Sequence, residues 1–373
     1  MAKHISELNI ETFRGIKDLS IKNIGDVNIL VGANNSGKTS VLEIIRSLEN
    51  PDSIRKWSII SRRDIDPFYR DDIFDSISFL SNANEQDGKI LFDTVLHDEQ
   101  LEISIIIKTE ELELSKKEMH QIIQRKFPKK IDYIRSDNLI DENKIITGLL
   151  KLTMSFFINN SEEKQAEIYN FYVGNFITPK NPPKINVTYI SPTQHIEDSL
   201  YLTNVFDNPE LYVEMLNILK EFDEGIISIN AAKDSNKFTQ RVIYKILSKE
   251  NKIALPLNLY GDGMKRAILL MSAVVVSKNG ILLIDEFETA LHTTAMSKVY
   301  KWILDTCKKL NVQLFMTTHS IEALDKLLES SGENIDDLRV IRLKKKNDKT
   351  MSKVILGREA LDDRKTYDME LRV

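Results

Sequence analysis

The segment Val31–Ser40, with the sequence VGANNSGKTS, constrains this chain more than any other segment. It follows an apolar run and precedes a helical pattern, as a loop between a strand and a helix would. The spacing from Gly32 to Gly37, Lys38 and Thr39 fits the phosphate-binding loop in full. The sequence therefore predicts that this segment binds a nucleoside triphosphate.

The residue types in this loop explain the prediction. Glycines let the backbone wrap around a phosphate with successive amides pointing inward, and the following helix adds the positive end of its dipole. Lys38 is expected to reach the β- and γ-phosphates, and Thr39 is expected to hold Mg²⁺. The predicted binding residues are Gly32, Ala33, Asn34, Asn35, Ser36, Gly37, Lys38, Thr39 and Ser40.

Composition narrows the function classes without selecting one. The 373 residues allow one large domain or two modest ones, with 42% hydrophobic and 29% charged residues. The net charge of −5 predicts no bulk attraction to nucleic acid, so such binding must come from a local patch. The one cysteine, Cys307, is expected in the core. No signal segment or run of transmembrane length is found, so we expect a cytoplasmic protein without membrane contact.

A second motif, Ile281–His292, reads ILLIDEFETALH. Four apolar residues predict a buried strand with Asp285 and Glu286 at its carboxyl end, where ligands bind in open α/β sheets. Asp285 is placed to hold Mg²⁺ through water, and Glu286 to orient a water for attack on the γ-phosphate. The alternative is a strand that simply ends in acidic surface residues.

A third motif, Val312–Ser320, reads VQLFMTTHS and predicts another apolar strand that ends in small polar residues and His319. A helical pattern at Thr293–Leu310 separates it from the acidic strand, so the two strands should be parallel neighbours. This order places His319 near the acidic pair, where it can donate to the γ-phosphate, although a histidine at a strand end is often structural. The predicted catalytic residues are Lys38, Glu286 and His319.

A fourth motif, Leu257–Ala267, reads LNLYGDGMKRA and precedes an apolar helical pattern. Free amides at such a helix start suit a second anion site, but one chain does not need two sites for one triphosphate. We therefore expect this loop to close over the nucleotide of another copy, the alternative being a glycine-rich helix start without a ligand. The residues of this second site are Gly261, Asp262, Gly263 and Lys265.

Together these motifs resemble the head of ABC-type ATPases, in the branch of SMC-like and DNA-repair ATPases, and more closely the overcoming-lysogenization-defect (OLD) family and its AAA-type relatives. GANNSGKTS resembles Walker A, YGDGMKRA a degenerate signature, LLIDEFETALH Walker B with the D-loop, and TTHS the switch histidine. The ending in Leu291 and His292 is typical of the OLD-like branch. The opening IETFRGIKDLSI is also similar, and it implies that Phe13 and Arg14 lie near the nucleotide. The resemblance implies ATP and Mg²⁺ as ligands.

The resemblance also implies a biological setting. Full-length OLD proteins carry a C-terminal Toprim nuclease domain, which does not fit in the residues before Val373, and no Q-loop is assigned. We expect two copies to sandwich two ATP molecules, and the chain to be the sensor of a prokaryotic anti-phage system that controls a separate nuclease or toxin chain. The alternatives are a repair ATPase that clamps DNA directly and a nucleotide-gated scaffold, which the intact Glu286 disfavours.

The expected fold class is α/β, a P-loop NTPase of the ABC/SMC-like head type with a mixed sheet flanked by helices. We expect an N-terminal lobe at 1–108, a mostly helical insertion at 109–184 and a C-terminal lobe at 185–373. Further expected elements are strands at Gly88–Lys108 with a turn at His97–Asp98, helices over 109–176 and Asn208–Ala231, a strand at Ile185–Ile190, and a hairpin of Leu338–Leu343 with Ser352–Leu356.

One basic segment, Lys116–Arg135, interleaves its lysines and arginines with Phe127 and Tyr133. Such a pattern can grip a phosphate backbone and stack bases, so it is a candidate for nucleic-acid contact. A solvated helix face is the favoured alternative. The run Arg342–Lys346 is similar and is expected at a hairpin tip.

Overall fold

The computed structural model describes residues 3–62, 73–78, 80, 87–126, 145–170, 183–194, 200–233, 242–251, 253–291, 293–367 and 369–371. The strands are β1 (Ile5–Phe13), β2 (Ile16–Ile21), β3 (Val27–Val31), β4 (Asp87–Leu96), β5 (Glu99–Ser115), β6 (Ile145–Ile158), β7 (Ser161–Tyr169), β8 (Val187–Ile190), β9 (Ile226–Lys233), β10 (Val242–Ser248), β11 (Leu255–Pro256), β12 (Ile281–Ile284), β13 (Gln313–Thr317), β14 (Leu338–Lys346) and β15 (Lys349–Leu356). The helices are α1 (Lys38–Ser47), α2 (Ile54–Arg62), α3 (Ile73–Ser78), α4 (Lys116–Lys126), α5 (Leu202–Phe206), α6 (Pro209–Leu219), α7 (Asp262–Val276), α8 (Thr293–Leu310), α9 (Ile321–Ser330) and α10 (Gly357–Tyr367).

A six-stranded sheet with the order β15-β14-β3-β13-β12-β8 forms the centre of the fold, and all of its strands except β15 run parallel. β3, β12 and β13 are buried at every position, which explains why most of their residues are apolar. β12 pairs in parallel with β13, with Leu282 opposite Leu314, so the predicted neighbours are confirmed. The carboxyl ends of these strands therefore meet at one edge.

A second, antiparallel sheet has the order β2-β1-β4-β5-β6-β7. One buried cluster joins this sheet to α1 and to one face of the central sheet, and it includes Leu8, Ile45 and Phe315. A second cluster joins the opposite face of the central sheet to α7, α8 and α9. The central sheet is thus covered on both faces, as its apolar strands require, and α1 lies between the two large sheets.

Several predicted elements are confirmed. β4 and β5 pair through the turn at His97 and Asp98, both of which have positive φ. α8 spans the residues predicted from its helical spacing, and Cys307 lies fully buried on it. The C-terminal hairpin forms from β14 and β15, with Asn347 and Asp348 in its turn. The predicted fold class, an α/β P-loop head with a mixed sheet flanked by helices, agrees with this architecture.

The helical interpretation of residues 109–176 is wrong for the part that the structure describes. β5 continues to Ser115, and β6 and β7 extend the antiparallel sheet, so α4 is the one helix described there. In β6, Leu152, Met154 and Phe156 are buried in alternation, which is the period of a strand. The polar residues of β7, at the sheet edge, hide the same period in the sequence.

The predicted helix over Asn208–Ala231 is wrong beyond Leu219. α6 begins after Asn208, whose side chain accepts from the Leu211 amide, and Pro209 occupies the first turn. The chain then turns into β9, which pairs with β10 in a small sheet of the order β11-β10-β9. No helix among the described residues is both long and apolar enough to cross a membrane.

Candidate active site

The phosphate loop lies between β3 and α1, as its sequence predicts. α1 begins after Gly37, whose φ of 103° is in the left-handed region, and Gly32 has a φ of 149°. The Lys38 ammonium donates to the carbonyls of Gly32 and Ala33 at 2.8 and 3.1 Å, so it lies inside the curve of the loop. The Ser36 hydroxyl is buried without a hydrogen-bond partner among the described residues. Both side chains present donors that suit a phosphate oxygen.

Lys38 also lies close to three carboxylates. Burial lowers the pKa of its ammonium, and the charges of Asp285, Glu286 and Glu288 act in the opposite direction. Three negative groups therefore lie around one buried cation. An incoming anion must share this cation with them, which favours binding of the triphosphate together with a metal ion.

Thr39 and Asp285, 246 residues apart in sequence, meet at the edge of the central sheet. The Thr39 hydroxyl donates to the buried Asp285 carboxylate at 3.1 Å. Two further hydroxyls donate to the same carboxylate, from Tyr189 at 3.3 Å and from Thr317 at 2.5 Å. Hydroxyl and carboxylate oxygens are the ligands that Mg²⁺ prefers, so Thr39 and Asp285 fit the predicted magnesium site.

Glu286 has an unusual backbone conformation, with a φ of 47°. A residue with a Cβ in this region costs roughly 1–2 kcal/mol, so its surroundings must hold it there. Its amide donates to the Thr317 hydroxyl at 2.8 Å, while its side chain remains partly exposed. The predicted base therefore combines a fixed backbone with a carboxylate that solvent can reach.

Arg266 is a site residue that the sequence analysis missed. It is fully buried in α7, and its guanidinium donates to the carbonyls of Ser191 at 2.7 Å, Asp285 at 3.3 Å and Glu286 at 3.2 Å. Burial lowers its pKa to about 10, so it remains protonated at neutral pH. An arginine within an apolar helical pattern is the signal that could have revealed it, because a buried charge requires partners. Arg266 ties the helix of the fourth motif to the acidic strand.

Glu288 adds a third carboxylate to the site, beside Asp285 and Glu286. The sequence analysis did not single it out. It accepts from the His319 backbone amide at 2.9 Å, while its other oxygen is buried without a hydrogen-bond partner among the described residues. The strand order thus brings the His319 segment onto the loop after the acidic pair. The predicted contact between the His319 side chain and the γ-phosphate remains a prediction.

Arg14 lies in the turn between β1 and β2, with a φ of 51°. Its guanidinium forms a 2.9 Å salt bridge with Glu43 of α1 and donates to the Ile60 carbonyl at 2.9 Å. The side chain of Ile16, two residues further on, packs closely against Gly37, since a Cβ there would lie 3.0 Å from it. Arg14 therefore braces the helix that follows the phosphate loop, and its proposed proximity to the nucleotide remains a prediction.

The fourth motif forms the start of α7. Gly261 is the residue before the helix and makes no side-chain cap, and Lys265 forms a 2.7 Å ion pair with Asp262. A Cβ at Gly263 would lie 3.0 Å from the Ala290 carbonyl in the loop after the acidic strand. Gly261 and Asp262 are exposed, so the N-terminal end of α7 is open to solvent, while Met264 in the same turn is buried. His292 and residues 127–135 of the basic segment lie outside the described residues.

The fold and this site define a P-loop ATPase with a head of the ABC/SMC type. Residues 27–325 match the family described as "AAA domain, putative AbiEii toxin, Type IV TA system", and the chain belongs to this family. It is similar to an ATP/GTP phosphatase of Helicobacter pylori, with 26% identity over 347 residues that cover 87% of this chain and 88% of that protein. These matches confirm the predicted ATPase.

Two further likenesses are more limited. This chain is 47% identical to the DNA replication and repair protein RecF of Nitrosococcus oceani over 58 residues, which are 16% of each chain. Its fold resembles an SMC head solved with the C-winged helix domain of ScpA, with a TM-score of 0.51, 15% identity, and coverage of 96% of this chain and all of that one. At this identity the second likeness shows the fold alone.

Proposed function

We propose that two copies of this ATPase close head to tail around two ATP molecules. Lys38 and Thr39 of one copy would face Gly261–Gly263 of the other, and Glu286 would activate water. The observation that carries this proposal is the link made by Arg266, because the exposed start of α7 is tied to the backbone of Glu286. A copy docked on that start would then act directly on the catalytic carboxylate.

Substitution of Glu286 by Gln tests this proposal. The amide is isosteric but cannot accept the proton of water, so the variant should bind ATP, fail to hydrolyse it and accumulate an ATP-bound dimer. Size-exclusion chromatography with light scattering in ATP and Mg²⁺ measures the dimer, and phosphate release measures hydrolysis. Hydrolysis at the wild-type rate would remove Glu286 from its assigned role, and a variant that stays monomeric with ATP bound would contradict the sandwich.

We further propose that the chain is the cytoplasmic sensor subunit of a prokaryotic anti-phage system of the OLD-like kind. ATP turnover would gate a separate nuclease or toxin chain, through a different affinity of that partner for the ATP-bound and free states. The family description, which refers to a toxin of a type IV toxin–antitoxin system, supports such a setting. The solved SMC head bound to a winged-helix domain is an example of this fold with a protein partner.

Two measurements test the sensor role. A pull-down from the native host with the Glu286→Gln variant should retain a nuclease or toxin chain in ATP and release it without nucleotide. The purified chain should leave plasmid and tRNA intact with Mg²⁺ or Mn²⁺ and ATP. Cleavage that disappears in a point variant of this chain would place the effector activity here instead.

The alternative is a DNA-repair ATPase that clamps DNA directly. The short match to RecF favours it, since RecF is a DNA replication and repair protein. Under this alternative, DNA should stimulate ATP hydrolysis by the purified chain in the absence of any partner. Retention of a repair or replication protein, rather than a nuclease or toxin, would also favour it.

A further inference from the structure

The C-terminal hairpin of β14 and β15 concentrates positive charge. Residues 338–356 contain seven basic residues and one acidic residue, a net charge of +6, in a chain whose net charge is −5. The basic residues are Arg339, Arg342, Lys344, Lys345, Lys346, Lys349 and Lys353. This is the local patch that an acidic chain needs in order to bind a polyanion.

The strand register places five of these residues on one face. Arg342 lies opposite Lys353, Lys344 opposite Met351, and Lys346 opposite Lys349. Directly opposite residues, and residues two apart along a strand, share a face of the sheet. We call this surface the basic ribbon face; it consists of Arg342, Lys344, Lys346, Lys349 and Lys353. All except Arg342, which is half-buried, are exposed.

The other face of the hairpin is occupied by the protein itself. Leu343 and Thr350 are buried there, and the Lys345 ammonium approaches Gly15 in the turn between β1 and β2. The basic ribbon face is therefore the open side of the hairpin, although Lys345 on the other face is also exposed. Val340 and Ile355 lie on the same two strands, further from the turn, and are part of the core. The basic ribbon face therefore extends from the core toward the turn.

The charge arrangement is unfavourable for the hairpin alone. Like charges directly opposite each other destabilise a strand pair, and two of the three cross-strand pairs on this face are of that kind. Asp18 on β2 offsets one of them, with a carboxylate oxygen 2.7 Å from the Lys349 ammonium. Among the residues that the structure describes, no acidic group pairs with Lys344, Lys346 or Lys353. Charged side chains can protect an edge strand, but such protection does not require like charges directly opposite each other, so this arrangement calls for another explanation.

The spacing of the cations on the basic ribbon face is suited to a polyanion with regularly spaced charges. Residues two apart in an antiparallel strand are separated by about 6.8 Å, and opposite residues by roughly 5 Å, so the face offers several evenly spaced contacts. It carries Met351 but no aromatic side chain on which an unpaired base could stack, which favours a duplex over a single strand. We propose that the basic ribbon face binds the phosphate backbone of double-stranded DNA.

The position of the hairpin gives this contact a route to the ATP site. β14 pairs with β3, with Arg342 opposite Val31, the last residue before the phosphate loop. A side chain at Gly32 would collide with the Leu343 carbonyl, so the loop and the hairpin are in direct backbone contact. The DNA contact does not depend on the sensor role proposed above, and it would survive the failure of that role.

The triple variant K344Q/K346Q/K353Q tests the inference. Fluorescence anisotropy with a duplex of roughly 30 base pairs, titrated between about 50 and 200 mM salt, gives the dependence of affinity on salt. Each lost phosphate contact lowers the slope of log K against log salt by about 0.9, so the slope should fall by about three. Affinity at the lowest salt should fall on the order of tenfold or more.

A matched control separates this site from bulk charge. The variant K298Q/K301Q/K308Q removes three exposed lysines from α8, whose surface ion pairs contribute little to stability, and changes the net charge equally. It should keep the wild-type slope and affinity. The control variant should melt close to the wild type, and the ribbon variant at or above it, because it loses two repulsive cross-strand pairs. ATP hydrolysis of both triple variants should match the wild type, which shows that folding is intact.

Three outcomes would overturn the inference. The ribbon variant could retain the wild-type slope, or both triple variants could lose affinity equally, which would indicate a non-specific charge effect. Alternatively, single-stranded nucleic acid or duplex RNA could bind the wild type more tightly than duplex DNA does.

Discussion

Arg266 joins two parts of the site that lie 19 residues apart along the chain. Its two terminal nitrogens bond three carbonyls, and two of these belong to the acidic pair Asp285 and Glu286. Because Glu286 is held at a φ of 47°, the carbonyl bond supports a conformation that the residue would not keep by itself. We therefore regard Arg266 as a positioning residue for the base.

This role predicts the effect of Arg266→Lys. One ammonium retains the charge but cannot bridge three carbonyls, and an unsatisfied buried acceptor costs about 1–3 kcal/mol. The kcat for ATP should fall by about tenfold or more, while the Kd of ATP changes by less than about threefold, because the phosphate loop is untouched. Steady-state kinetics and calorimetric titration measure the two quantities. A lysine variant with wild-type kcat would show that the base is held by Thr317 alone.

Lys38→Ala should weaken ATP binding, which Arg266→Lys leaves almost unchanged. The lysine is predicted to supply a charge-assisted contact to the phosphates. Such a contact is worth about 1.5–3 kcal/mol, so ATP affinity should fall by about 10- to 100-fold. Isothermal titration calorimetry with ATP checks this, and Lys56→Ala on α2 serves as a control of the same chemistry outside the loop. Unchanged affinity of the Lys38 variant would mean that the loop is not the binding site.

At the scale of elements, three hairpins use the same kind of turn. Both central residues have positive φ at His97–Asp98, Asn159–Asn160 and Asn347–Asp348. Two-residue turns of this kind match the twist of paired strands and favour Asn, Asp and Gly. The Asn159–Asn160 pair was thus a signal of the hairpin between β6 and β7, although its flanking strands were interpreted as helical.

The backbone conformation of Asn160, in the turn between β6 and β7, predicts how substitutions there change the melting temperature. Asn160 has a φ of 63°, a region in which glycine is not strained and a β-branched residue costs roughly 1–2 kcal/mol. Asn160→Gly should therefore melt at or above the wild-type temperature, and Asn160→Val below it. Differential scanning fluorimetry gives the order of the three proteins. A valine variant that is as stable as the glycine variant would contradict the turn.

The sequence predicts those elements whose information is local. The phosphate loop, the acidic strand and α8 each carry their pattern within about 10 to 18 residues, so their positions and the parallel pairing follow directly. The role of Arg266 could not be predicted because its partners are backbone carbonyls of distant segments. Every residue has such a carbonyl, so the residue types do not reveal which ones Arg266 contacts. β7 could not be predicted because it lies at a sheet edge, where few positions need to be apolar. The division at residues 108 and 184 is still a prediction, although β5 runs through residue 108 without a break.

At the scale of the whole molecule, His4 connects the two large sheets. Its ring bonds His97 in the turn of the antiparallel sheet at 3.0 Å and the Asn311 carbonyl, before β13 of the central sheet, at 3.0 Å. The carbonyl only accepts, so His4 Nε2 donates to it and Nδ1 accepts from His97. Burial lowers the pKa of His4, since a second proton would charge a ring that is almost completely enclosed.

This pKa shift predicts how stability depends on pH. The unfolded chain takes up a proton on His4 near its usual pKa of about 6.5, whereas the folded protein resists protonation until a lower pH. The unfolded state therefore binds more protons below about pH 6.5, and stability falls as the pH decreases through that range. Melting temperatures at about pH 7.5 and 5.5 should differ more for the wild type than for His4→Gln. Equal differences would assign the acid sensitivity to other groups.

The strand order also dictates when the site can assemble during synthesis. β3, which leads into the phosphate loop, has β13 and β14 as its neighbours, and both come from residues 313–346. The antiparallel sheet, in contrast, draws all six strands from residues 5–169, so none of its strand pairs needs the later chain. A nascent chain can thus complete that sheet while β3 still lacks both of its neighbours. Residues up to 346 must therefore be synthesised before β3 has both of its neighbours, so a partly translated chain contains Lys38 before the sheet that positions the phosphate loop is complete.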